Sequence, residues 1–347
     1  MRKEVVFAII IGILFGLVLA YGIIRANKAI NRSATSISTE NKDLEEPNEP
    51  TPPRTLSITL TEPEDSSVIT ENPITVSGIT KPNLWVVTST EDSDSISFTE
   101  NQGAFSNDID LVGGLNFITI TAIEPSGLSF EKIIKIVFSS EFTPISTKSS
   151  GEAATESGKS QESSVNEKIE NVLNKPRFYS GTITDISNGS IQIKGDAGEI
   201  KLISASETKT VFIKLGKTST KIKMADVAIG DYIIAMGYIK DKGVLDSSRI
   251  LIASPSQPTK RKVLIGKVML LDKNSLNIKS TSDDKVYSVE PGDGINITKG
   301  ALSDLTKIKF TQIKAGDDIL LTGSDNETVI EATRIHIIST PEATPTP

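Results

Sequence analysis

The sequence predicts an all-β, multi-domain protein: one β-sandwich followed by two tandem small β-barrels, behind a single N-terminal transmembrane helix. Three observations predict it. Val5 to Ile24 is an uncharged apolar run of twenty residues. Downstream, short stretches of alternating apolar and polar residues are separated by Gly, Pro, Asn and Asp turn signals, with no helical periodicity. Finally, the C-terminal half carries the same set of short motifs twice, 85 to 86 residues apart.

The apolar run, VVFAIIIGILFGLVLAYGII, matches the roughly 30 Å hydrocarbon core at about 1.5 Å per residue. It exceeds the apolar core of a signal peptide, about 7–15 residues, so an uncleaved anchor over 5–24 is expected; Ala20-Tyr21-Gly22 keeps a cleaved signal as the alternative. Arg2 and Lys3 precede the span, while Arg25, Lys28 and Arg32 follow it, a count that favours a cytoplasmic C-terminal side. The very short N-terminal tail and the long domains beyond the span favour export, and extracellular C-terminal modules on a plasma-membrane anchor are the expectation. Ala8, Gly12, Gly16 and Ala20 form one small-residue stripe, which predicts close pairing of two such helices.

Residues 25–54 are polar, acidic and end in a proline cluster, and read as a disordered stalk. Extended, such a stalk reaches about 90 Å at roughly 3.1 Å per residue. Residues 143–176 form a second flexible linker, with a short helix expected over 164–174 and stopped by Pro176; 340–347 read as a disordered Thr/Pro tail. Between these breaks lie three folded blocks, 55–142, 177–254 and 260–339.

In the first block, strands are expected in LSITL (56–60), ITVSG (74–78), LWVVT (84–88), FITITA (117–122) and KIIKIVF (132–138), an antiparallel sandwich with Trp85 in its core. Gly103-Ala104-Phe105 followed by Leu111 through Ala122 resembles the "Gly-x-Phe … Leu-x-x-Gly-x-Asn-x-Ile-x-Val-x-Ala" pattern of bacterial immunoglobulin-like modules of cell-surface proteins. Glu124 stands where that family typically has Asp. The resemblance implies an Ig-like sandwich used as a spacer or adhesion-type module.

The second and third blocks are the internal repeat. Gly181-Thr182-Ile183 matches Gly266-Lys267-Val268, and Ser190 to Lys194 matches Ser275 to Lys279. Ile229-Gly230-Asp231 matches Ala315-Gly316-Asp317, and Ser248-Arg249-Ile250 matches Thr333-Arg334-Ile335. Each unit should hold five or six short strands closed into an OB-like barrel. The shared pattern "Gly-Thr-Ile … Ile-x-Ile-Lys … Ile-Gly-Asp-x-Ile … Gly … Arg-Ile" resembles a small barrel-like bacterial family of unknown function found in envelope-associated proteins, which implies location more than activity.

Composition restricts the chemistry. The chain of 347 residues has no cysteine and one histidine, His336, so thiol nucleophiles, Cys-ligated metals and multi-histidine sites are excluded. The net charge of −7 argues against polyanion binding by the whole protein. That charge is uneven. Residues 54–142 carry 13 acidic and 4 basic side chains, whereas 177–254 carry 8 and 11. Within the first barrel, Lys209, Lys214, Lys217, Lys221 and Lys223 follow one another with no acid between Glu207 and Asp226. They form a candidate polyanion patch, read against the plainer alternative of a solvated lysine face; Lys307, Lys309 and Lys314 are a thinner echo. Phe212, Tyr232 and Tyr238 are the nearby aromatics and suit the core equally. Asp92, Asp94, Asp108 and Asp110 suggest calcium through their Asp-x-Asp spacing, but no closing loop accompanies them, and solubilising charge is the expectation. His336, in the alternating strand RIHII, is expected as a strand-face residue rather than a base. The Asn-x-Ser/Thr triplets at Asn188, Asn296 and Asn326 are expected by chance.

No cofactor, metal or catalytic residue is expected, and the protein is read as a non-enzyme. Its expected function is non-catalytic binding or spacing at the cell envelope, with membrane lipid, a second copy through the transmembrane stripe, and a cell-wall polymer or surface protein as partners. The alternative is polyanion binding, by nucleic acid or an anionic wall polymer, through the lysine face of the first barrel. A third reading is an envelope glycan hydrolase, for which no carboxylate pair stands out.

Overall fold

The computed structural model describes residues 55–142, 175–326 and 329–338. The helix expected over 5–24, its stripe Ala8, Gly12, Gly16 and Ala20, the stalk, the linker helix and the tail lie outside the described residues. Among the described residues no helix is long and apolar enough to cross a membrane.

The described residues are all-β. Eight strands build the first block: β1 (Thr59–Glu62), β2 (Ser67–Ile69), β3 (Ile74–Ile79), β4 (Trp85–Ser89), β5 (Asp94–Phe98), β6 (Ala104–Ile109), β7 (Gly114–Ile123) and β8 (Ser129–Phe138). Strands β1-β3-β6 form one sheet and β2-β8-β7-β4-β5 the other. Alternate residues of both sheets meet in a core that includes Val76, Val86, Phe105, Ile118, Ile120 and Ile136. The alternating segments read from the sequence correspond to β1, β3, β4, β7 and β8; the short β2 and the polar β5 carried no such signal.

The two repeats are closed five-stranded barrels of one design. The first comprises β9 (Arg177–Ser187), β10 (Ser190–Lys194), β11 (Ile200–Ser204), β12 (Val211–Lys214), β13 (Thr220–Ile222), β14 (Tyr232–Ile239) and β15 (Leu245–Ala253). The second comprises β16 (Arg261–Leu271), β17 (Leu276–Ser280), β18 (Val286–Lys299), β19 (Thr306–Lys307), β20 (Asp318–Asp325) and β21 (Val329–Ile337). The circuit β9-β10-β11-β15-β14-β9 closes the first barrel, with β11 parallel to β15. The circuit β16-β17-β18-β21-β20-β16 closes the second, with β18 parallel to β21. The single strand β18 does the work of both β11 and β12, so the second repeat has six strands against seven, with the same five-stranded circuit.

The repeated motifs are structural. Gly230 and Gly316 have φ of +96° and +95°, a region that side chains with a Cβ resist. Each glycine N–H donates into the first barrel strand, to Ile183 O and Val268 O respectively. The following Asp231 and Asp317 carboxylates accept from the amides of Ala228 and Lys314 at 2.9 and 2.8 Å, clamping the turn. Gly237 and Gly323 mark the ladder irregularity of β14 and β20, and a Cβ there would meet Asp246 O at 2.0 Å and Glu331 O at 2.3 Å.

All described residues fall within one compact unit. Strand β2 pairs on one side with β8 and at Ser67–Arg177 with β9, so the sandwich sheet runs into the first barrel. The packing at this joint is apolar. Phe178, Tyr232, Ile234, Met236 and Leu251 project outward from the barrel onto Val68, Val137 and Phe142. The second barrel presents the corresponding outer face. Its Val263, Ile265, Leu320 and Ile338 pack on Trp85, Val87, Ile96 and Ile123, on the same outer face of the sheet but toward its β4–β5 edge. Trp85 therefore does not sit in the sandwich core. It alternates outward on β4, with Val86 inward, because the second barrel offers it a further apolar surface.

Candidate binding surfaces

The lysine-rich segment of the first barrel folds as the β12–β13 hairpin and its flanking turns. Lys209 lies in the turn before β12, Lys214 ends β12, Lys217 is in the connecting loop, and Lys221 and Lys223 lie on and just after β13. All five are exposed, and none forms an ion pair among the described residues. Ile222 packs on the barrel core, which turns Lys221 and Lys223 outward, as their alternation implies. In the hairpin register Lys221 stands opposite Ile213, and Lys214 opposite Thr220. Lys214 and Lys221 thus project from opposite faces. Phe212 is core, Tyr232 is buried in the sandwich joint, and Tyr238 packs against that joint. Burial pushes the Tyr232 phenol up from its ordinary pKa.

Lys221 lines a cleft of about 560 Å³ between this hairpin and the sandwich. Val211, Ile213 and Leu251 supply apolar wall, and Arg249 contributes charge. Arg249 pairs with the exposed Glu141, while its Nε is buried without a hydrogen-bond partner. The sequence singled out Lys221 but not Arg249, whose repeat motif was read as a strand anchor.

The joint with the second barrel holds a polar cluster that the sequence did not reveal. Asp94, expected as solubilising surface charge, is buried: its side chain is 5% exposed and that of Arg261 4%, with 3.8 Å between their charged atoms. Arg261 also donates to Thr90 O at 2.6 Å and to Thr333 Oγ1 at 3.2 Å. The Thr333 hydroxyl donates to the Asp94 carboxylate, and Arg334 Nη1 donates to Asp94 O at 2.7 Å. Arg334 is the repeat counterpart of Arg249, so the same arginine grips the sandwich in both barrels. Of the other acids considered for calcium, Asp108 accepts from Thr75 Oγ1 at 2.7 Å. Among the described residues, no group of three or more acidic or histidine side chains is arranged to hold a metal ion.

His336 is 1% exposed and sits on the outward side of β21. Its Nδ1 lies 3.0 Å from Thr298 Oγ1, its ring is 5.1 Å from the Trp85 ring, and its Nε2 has no hydrogen-bond partner. Burial first, and the Arg334 charge second, lower its pKa to about 4, so the imidazole is neutral at pH 7. Burial also lowers the pKa of Arg334, with Asp94 opposing the shift.

No family model matches the chain, and no curated protein matches it. Among solved structures, a match is the drosophila Unr CSD456 structure, at 9% identity over 75% of this chain and 99% of that one. Its TM-score of 0.16 is too low to bear on fold or function.

Proposed function

We propose that the protein is a non-catalytic, membrane-anchored component of the cell envelope. In this reading an Ig-like sandwich and two OB-like barrels form one head, held outside the membrane for binding or spacing. The observation that carries it is the duplicated docking: both barrels use their outer strand face and the same repeat arginine, Arg249 and Arg334, to hold the sandwich. Modules tied in this way transmit position as one body, as a presented head requires. The resemblances of 55–142 to bacterial immunoglobulin-like surface modules, and of the repeats to an envelope-associated barrel family, support the location. Protease added to intact cells should remove a C-terminal tag to the same extent as in lysed cells. Protection until lysis would place the head in the cytoplasm and overturn the reading.

The second reading is polyanion binding by the first barrel, favoured by five exposed lysines without ion pairs among the described residues and by Arg249 beside Lys221 in one cleft. Affinity for a nucleic acid or an anionic wall polymer should then fall linearly with the logarithm of salt concentration. Lys221→Glu with Lys223→Glu should reduce that slope by about 2. A slope unchanged by the double substitution would leave the lysines as a solvated face.

A further inference from the structure

A second groove, of about 730 Å³, lies where β4 and β5 of the sandwich meet the second barrel. Its size is that of a ligand site, and it sits at an interface between modules, where such sites concentrate. Trp85 and Phe98 form its aromatic floor, packed edge to face with ring centroids 5.2 Å apart. Leu302 and Pro125 continue the apolar lining, and Phe98 remains 39% exposed. Every ionisable group lining the groove is acidic, namely Glu100 and Asp318. Asp318 is shared with Lys267 at 3.0 Å, whereas Glu100 is exposed and forms no ion pair among the described residues.

We propose that this groove binds a short extended peptide in which a lysine or arginine is flanked by proline or aliphatic residues. The aliphatic or prolyl side chains would lie on Trp85 and Phe98, as in aromatic-lined grooves that take extended segments. The cation would reach Glu100, with the face of Trp85 adding attraction if the chain crosses it. Charge complementarity decides the class: an acidic rim on a block, 55–142, with 13 acidic and 3 basic side chains repels acidic ligands and concentrates basic ones. A glycan fits less well, because besides those two acids the lining offers only Thr281, Ser303 and the Trp85 indole N–H, few partners for a polyhydroxylated ring.

Trp85 is the only tryptophan in the chain, so its emission reads this groove directly. The full-length chain should be titrated with the acetylated peptide Pro-Ile-Pro-Lys-Pro-Ile, and a saturable change in Trp85 emission is expected. Glu100→Lys, at an exposed position, should weaken binding at least about fivefold, as should replacing the peptide's lysine with glutamate. Phe98→Ala should weaken it without altering the charge, and Lys221→Glu, in the other cleft, should leave it unchanged. Absence of a saturable change, equal affinity for the glutamate peptide, or saturation by maltohexaose instead would each overturn the proposal. So would a chain ending at Ile338 whose Trp85 emission already differs before peptide is added, since the groove would then belong to the chain's own tail.

Discussion

Asp94→Ala should destabilise the joint between the sandwich and the second barrel by about 3–5 kcal/mol, the usual cost of removing one partner from a buried charged pair. The arithmetic follows from what remains. Arg261, its side chain 4% exposed, keeps its hydrogen bonds to Thr90 O and Glu91 O but loses the one carboxylate it pairs with among the described residues. The Thr333 hydroxyl loses its acceptor on β5, and Arg334 is left beside a second uncompensated guanidinium. The apolar contacts of Val87, Ile123, Ile265 and Leu320 persist, so the barrel should remain folded while its docking weakens. Urea unfolding followed by Trp85 emission, which reports this joint, should then precede unfolding followed by circular dichroism, whereas the native chain should show one coincident transition. Arg261→Met added to Asp94→Ala should recover part of the loss, because a buried apolar side chain costs less than a buried unpaired charge. A loss below about 1 kcal/mol for Asp94→Ala would mean that the apolar contacts alone hold the joint.

The two barrels were legible because closure and turn chemistry repeat: two Gly-Asp clamps and two close-approach glycines leave the same letters at the same offset. The joints were harder to read, although they left a trace. YIIAM in β14 and ILL in β20 are continuous apolar runs, the pattern of strands covered on both faces, whereas a barrel exposed to water should alternate. Ile233 and Ala235 face the barrel interior while Tyr232, Ile234 and Met236 face the sandwich. WVV in β4 carries the same message, with Val86 inward and Val87 outward. Asp94 left no trace at all. An acid in a polar stretch, DSDSISF, reads as surface, and only the approach of Arg261 and Arg334 from more than 160 positions along the chain makes it a buried anchor. The lysine face shows the opposite case: its composition was visible, but the division of Lys214 and Lys221 between two faces depends on hairpin register. The groove over Trp85 and Phe98 was hidden for the same reason as Asp94, since its walls come from separate modules.

The two joints differ in one respect that predicts acid sensitivity. Where the first barrel places Leu251 on its outer face, the second places His336 at the corresponding position of the repeat. Burial, with Arg334 nearby, holds the His336 pKa at about 4 against an ordinary value of 6.5. A histidine with a lowered pKa is neutral in the folded state and takes up a proton on unfolding, so stability is greatest above pH 6.5 and is lost as pH falls toward 4. The gap corresponds to a loss of about 3 kcal/mol across that window, with no further contribution from this group below pH 4. The charge beside the ring reinforces the direction: Arg334 is positive, and the carboxylate of Asp94 is already engaged by Thr333 and Arg261. Urea midpoints measured by Trp85 emission should therefore fall between pH 6.5 and 4. His336→Leu, which installs the residue the first barrel uses, should flatten that dependence while keeping the joint filled. A native midpoint that does not change across this window would overturn the prediction, and a His336→Leu variant with an undiminished slope would assign the acid response to other groups.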